Sequence, residues 1–158
     1  MIRPLDEPMG SVISSVGRVL PFSREQLFDL AADVERYPEF LKWWIEVTVL
    51  KREGNACYAS QVVGLGPIRF PFASKAVLSR PERIDVTSTD PAFRKYQLSW
   101  RIEASSSGGC RIAVVAEFEL ASVFLQRLAA QVVPAGIEDV MATFEARAYA
   151  LYAVPTPR

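Results

Sequence analysis

The sequence predicts an α+β domain in which a seven-stranded curved antiparallel sheet wraps around a long C-terminal helix, with two short helices after the first strand. Three observations predict it. Apolar and polar residues alternate with period two in one segment after another between Ile45 and Leu120. A helix-start signature stands directly after the first strand-like segment, and a stripe of apolar residues at helical spacing occupies the C-terminal part. One strand, two short helices, six strands and a long helix is the order of an antiparallel sheet packed on a helix.

The opening strand is expected at about 11 to 20. After it, Ser23 reads as an N-cap with Gln26 as its capping-box partner, and Phe22 with Leu27 forms a hydrophobic staple. Leu27, Leu30, Ala31 and Val34 mark the buried face of the helix that begins there. Tyr37-Pro38 ends or redirects it, because a residue before proline disfavours the helical region, and a second short helical turn is expected to about Leu41.

From Ile45 the period becomes two, with Ile45, Val47 and Val49 on one face, and Glu53-Gly54-Asn55 turns the chain. Further strands are predicted at 56 to 64, 68 to 78 and 83 to 88, separated by turns at Gly64 to Pro67 and Ser79 to Glu82. Pro71 inside the second of these marks an edge or a bulge, since proline cannot donate to a ladder. Tyr96, Leu98, Trp100 and Ile102, then Ile112, Val114, Ala116, Phe118 and Leu120, give the clearest alternation, joined by Ser105 to Gly109.

Ser122 caps an apolar helix that should break or kink at Pro134-Ala135-Gly136. Beyond it a longer helix is expected to about Val154, its buried stripe being Ile137, Val140, Met141, Phe144, Ala148 and Leu151. The domain is therefore set at 11 to 154, with residues 1 to 10 as a flexible lead and 155 to 158 as a tail. The lead lacks the apolar core of a secretory signal.

Composition narrows the function. The 158 residues carry 18 basic and 18 acidic side chains, so no single-sign field steers the chain to nucleic acid, and no DNA partner is expected. No apolar run approaches the ~18 to 20 residues of a spanning helix, which leaves peripheral membrane contact and a cytoplasmic location, at most on the inner membrane face. Cys57 and Cys110 read as buried thiols in a reducing compartment, with no metal site.

The chain contains no histidine, which removes the usual neutral-pH base and every Ser-His-Asp, Cys-His or His-metal arrangement. No catalytic residue is assigned, no cofactor is required and no enzyme is expected. Gly64-Leu65-Gly66 precedes a strand and not a helix N-terminus, so it is a hairpin turn and not a phosphate loop. Tyr37, Phe40, Trp43, Trp44, Phe70 and Phe72 are the densest aromatic set, serving either core packing or the wall of a ligand cavity.

Leu20-Pro21-Phe22-Ser23, Gln26 to Leu30, Asp33-Val34-Glu35-Arg36-Tyr37-Pro38-Glu39-Phe40-Leu41 and Phe144 to Ala148 resemble the coenzyme Q-binding Coq10 and ribosome-association toxin RatA family. That family lies within the START-like, or SRPBCC (polyketide cyclase/dehydrase), superfamily. The similarity extends over about residues 11 to 153. Where the family pattern places proline before the tryptophan and a small residue after it, this chain has Lys42, Trp43 and Trp44.

The resemblance implies a helix-grip fold with a cavity between sheet and helix. It implies as ligand ubiquinone or a similar isoprenoid lipid, carried or chaperoned in support of respiration or quinone biosynthesis. The implied partners are quinone enzymes or a membrane surface. A RatA-like block of ribosomal subunit association is the alternative, and an aromatase or cyclase a further one, with Tyr58, Tyr96 or a buried arginine as its acid-base groups. Tyr37, Phe40 and Trp43 from the motif, Phe70 and Phe72 beside the apolar turn, and Trp100, Phe118, Val140 and Phe144 on opposed faces are the candidate ligand-binding residues. The turn at Leu65 to Ile68 is expected as a docking edge. Typical pockets of about 300 to 1,000 Å³ would hold a head group and part of a polyprenyl tail.

Overall fold

The structure is a computed structural model that describes residues 10–153. The first nine residues of the expected lead, Val154 and the 155 to 158 tail lie outside it. Seven strands, β1 (Val12–Leu20), β2 (Trp44–Glu53), β3 (Ala56–Leu65), β4 (Ile68–Ser79), β5 (Arg83–Thr87), β6 (Phe93–Ala104) and β7 (Cys110–Leu120), form one sheet in the order β1-β7-β6-β5-β4-β3-β2. Every neighbouring pair is antiparallel. Among the described residues three helices accompany the sheet: α1 (Arg24–Ala32), α2 (Tyr37–Phe40) and α3 (Val123–Tyr152), with a 3₁₀ turn, Val34–Arg36, between the first two.

The start of α1 follows from its sequence. Ser23 accepts from the Gln26 amide, and the Gln26 side chain accepts from the Ser23 amide, which closes the capping box at 3.1 Å on both sides. Phe22 and Leu27 are both buried beside it. Tyr37 departs from expectation: its backbone is helical despite the following proline, and Pro38 sits in the first turn of α2, where a missing amide proton costs nothing.

Pro71 lies at a local edge inside the sheet. β4 pairs with β3 from Ile68 to Val77, whereas its ladder with β5 begins only at Lys75. The Ala73 amide points to that open side and donates to Asp90 at 3.0 Å. Pro71, two residues earlier, presents its nitrogen on the same side, so no ladder bond is lost.

Two expectations about regularity fail. β2 shifts register between Trp44 and Glu46, which turns Ile45 outward to 40% exposure in place of the expected inward position. α3 continues through Pro134 without the expected break. Proline there deprives the Ala130 carbonyl of its helical donor, but Pro134 is exposed and water can satisfy that oxygen. Both halves of α3 are clamped by apolar packing, Ala129 with Phe70 and Phe118, and Met141 and Phe144 with Trp100 and Ile102. Leu151, expected in the buried stripe, is 52% exposed, and Tyr152 packs on the core in its place.

Gln126 anchors the start of α3. Its amide is 2% exposed, accepts from the Leu120 amide at 2.8 Å and donates to the Gly10 carbonyl at 2.8 Å. The end of β7, the entry to β1 and the helix are thereby held together without an unsatisfied buried group. Cys57 and Cys110 are free thiols and both are buried.

Candidate functional site

Between the concave face of the sheet and α3 lies a cavity of about 220 Å³. It forms because inward positions recur at period two on β3 to β7 and at helical spacing on α3, so apolar walls face each other across the grip. At one end Trp100 and Phe144 touch, ring centroids 4.8 Å apart. At the other end Phe70, Phe72, Phe93 and Tyr96 form a second aromatic wall, Phe72 and Phe93 meeting edge to face at 5.3 Å.

Of the nine residues expected at the ligand, Tyr37, Trp43, Phe70, Phe72, Trp100, Phe118, Val140 and Phe144 line this cavity. Phe40 does not. It stands behind Phe144, centroids 5.3 Å apart, and faces a separate pocket of about 140 Å³ beside Arg147, whose guanidinium lies 5.0 Å from the Phe40 ring. In the turn expected to be a docking edge, Leu65 is buried and Ile68 half-buried, while Gly66, beside Leu128 of α3, and Pro67 are exposed. Tyr58 is on the outer sheet face between Lys51 and Lys75, since its neighbours Cys57 and Ala59 face the cavity. The cavity is also smaller than the expected range, so it accommodates a compact group and not a long tail.

Several lining residues were not anticipated. Phe93 reaches the wall because β6 shifts register between Phe93 and Lys95, which lets Phe93 and Tyr96 point the same way. Gln61 and Ser74 are buried polar residues on the inward parity of β3 and β4. Trp44 donates its indole N–H to Gln61 at 2.8 Å, and the Gln61 amide nitrogen donates to Ser74 Oγ at 2.7 Å. Polar residues interrupting an apolar face, Gln61 between Ala59 and Val63 and Ser74 between Phe72 and Ala76, are the signal that could have found them.

Gly136 brings α3 close to Trp43. A Cβ at Gly136 would stand 3.4 Å from Trp43 Cζ2, so the indole lies almost against the helix backbone. The Trp43 indole nitrogen is itself buried without a hydrogen-bond partner.

Among the described residues, no Asp, Glu, Lys or Arg lines the cavity. The tyrosine hydroxyls there stay neutral: burial pushes those of Tyr37 and Tyr96 well above the ordinary 10.0. Tyr37 also donates to the Ala31 carbonyl, which ties α2 to the end of α1. Among the described residues no cluster suited to a metal ion occurs, and no helix is long and apolar enough to cross a membrane.

This combination, a sheet wrapped on one long helix around an uncharged cavity, defines a START-like helix-grip protein. The assignment agrees with the Zhui aromatase/cyclase of Streptomyces sp. R1128, whose structure superposes with a TM-score of 0.79 at 12% identity over 92% of this chain and 99% of that one. The chain belongs to the polyketide cyclase / dehydrase and lipid transport family, whose model matches residues 20–145. It is 27% identical over 134 residues to the ribosome association toxin RatA of Pseudomonas aeruginosa, spanning 85% of this chain and 93% of that protein. It is likewise 28% identical over 147 residues to the mitochondrial coenzyme Q-binding protein COQ10 of Dictyostelium discoideum, over 89% of this chain and 71% of the relative.

Proposed function

We propose that the protein binds the head group of a neutral isoprenoid lipid, ubiquinone or a close relative, and carries or chaperones it to membrane-bound or biosynthetic quinone enzymes. The observation that carries this reading is the uncharged lining of a cavity with predominantly apolar walls. A charged ligand there would lose its hydration with nothing to offset the loss, whereas an apolar one gains about 0.8 kcal/mol per buried CH₂. At about 220 Å³ the space takes a ring and the first part of a tail, leaving the remainder for a bilayer or a partner's groove. Similarity to the coenzyme Q-binding protein COQ10 supports the same class of ligand.

Carriage is favoured over catalysis because no carboxylate, lysine or arginine of the described residues meets the cavity, and its tyrosines hold their protons. Extraction of the purified protein and mass spectrometry of co-purifying lipids tests the proposal. A stoichiometric isoprenoid quinone is expected, and recovery of only charged lipids would refute it.

A second reading rests on the relative from Pseudomonas aeruginosa, which this chain matches over 93% of its length. In that reading the chain keeps ribosomal subunits apart. Sucrose gradients of lysate with added protein discriminate: stoichiometric separation of subunits at physiological salt would make the ribosome the primary partner.

A further inference from the structure

We infer that the Trp44–Gln61–Ser74 chain of hydrogen bonds makes the cavity selective for a carbonyl oxygen, and hence for an oxidised quinone over its quinol; this rests on the proposed quinone reading. The direction of each bond follows from its members. An indole nitrogen only donates, so the Gln61 atom 2.8 Å from Trp44 Nε1 is the amide oxygen. That choice turns the amide nitrogen to Ser74 Oγ, 2.7 Å away, and an amide nitrogen also only donates. Ser74 must therefore accept, and its own proton is left to donate.

Ser74 is 8% exposed and lies on the cavity wall. Among the described residues its proton has no protein acceptor. Ser74 thus presents a proton, and a site with such a donor discriminates against a ligand that brings a proton of its own.

A quinone carbonyl accepts and brings no proton. A quinol hydroxyl either accepts from Ser74 and leaves its own proton without an acceptor, or donates to the remaining lone pair of Ser74 and leaves the serine proton unbonded; one proton goes unpaired in both arrangements. The loss of about one net hydrogen bond corresponds to about a 5- to 10-fold weaker affinity for the quinol. Trp44 is here a positioning residue: without its indole the Gln61 amide can reverse, and Ser74 can donate to Gln61 instead of to the ligand.

Calorimetric titration of the full chain with a short-chain ubiquinone, with the same compound reduced and kept anaerobic, and with an oxygen-free terpene hydrocarbon tests the inference. The wild type should bind the quinone about 5- to 10-fold more tightly than the quinol. In Ser74→Ala and in Trp44→Phe the two affinities should converge to within about 2-fold, read as the quinone-to-quinol ratio within each variant so that any change in cavity shape, which the hydrocarbon reports, acts on both ligands alike. Should Ser74→Ala fail to fold, Trp44→Phe decides alone. Saturable quinone binding with equal quinol affinity in the wild type, or a ratio that survives in the folded variants, would overturn the donor relay and leave the cavity reading standing. Absence of saturable binding by both quinone and hydrocarbon would overturn the cavity reading itself and this inference with it.

Discussion

Tyr37 stands edge-on to Phe144, ring centroids 5.5 Å apart and planes at 89°, which locks the Asp33 to Leu41 segment onto the middle of α3. Phe144 also meets Phe40 at 5.3 Å and Trp100 at 4.8 Å, so one side chain joins α2, α3 and β6. Phe144→Ala should therefore destabilise the fold by about 3 to 5 kcal/mol, the range for deleting a buried aromatic ring. Urea unfolding at neutral pH checks this, and a loss below about 1 kcal/mol would show that the cluster is not the keystone of the grip.

Gly136 has room for one methyl group beside Trp43. Alanine at a helix interior is favoured over glycine by about 1 kcal/mol. The added Cβ, with its nearest neighbours at 3.4, 3.6 and 3.8 Å on Trp43, makes ordinary contacts. Gly136→Ala should raise the melting temperature by about 2 to 4 °C and leave ligand binding little changed. A lower melting temperature would mean that Trp43 cannot yield.

Tyr37 predicts the alkaline limit. Its hydroxyl is held in the neutral form by burial, with a folded pKa above the ordinary 10.0. The unfolded chain releases the proton first, so this stabilisation is complete below about pH 10 and is lost as pH rises above it. The urea midpoint should fall between about pH 10 and pH 11.5, and Tyr37→Phe should flatten that decline at the expense of the Ala31 hydrogen bond at neutral pH. Burial raises Tyr96 and Tyr152 as well, so the variant should reduce the slope and not abolish it.

The architecture was legible in the sequence because local rules and tertiary packing agree over most of the chain. The capping box at Ser23 and the alternation through Trp100 and Phe118 state their own geometry. Pro134 was misread because local propensity forecasts a break, whereas packing of both helix halves on the sheet outweighs it. Ile45 and Phe93 were misplaced or missed for one reason: each adjoins a register shift, and a shift by one residue reverses which face a side chain occupies. The cavity's aromatic wall was largely foreseen from residue type. Its polar relay was not, since a glutamine and a serine in strands acquire meaning only once β2, β3 and β4 lie side by side.

The central claim is a specific site for a neutral apolar ligand between sheet and helix, and tryptophan emission reports on it, because Trp43, Trp44 and Trp100 all line the cavity. Titration with a short-chain ubiquinone should quench that emission saturably in the wild type. Gly136→Leu, which drives a side chain into Trp43 and the cavity, should weaken the apparent affinity at least about 10-fold while the circular dichroism spectrum stays that of the wild type. Linear, unsaturable quenching of equal slope in both proteins would be collisional and would contradict the account.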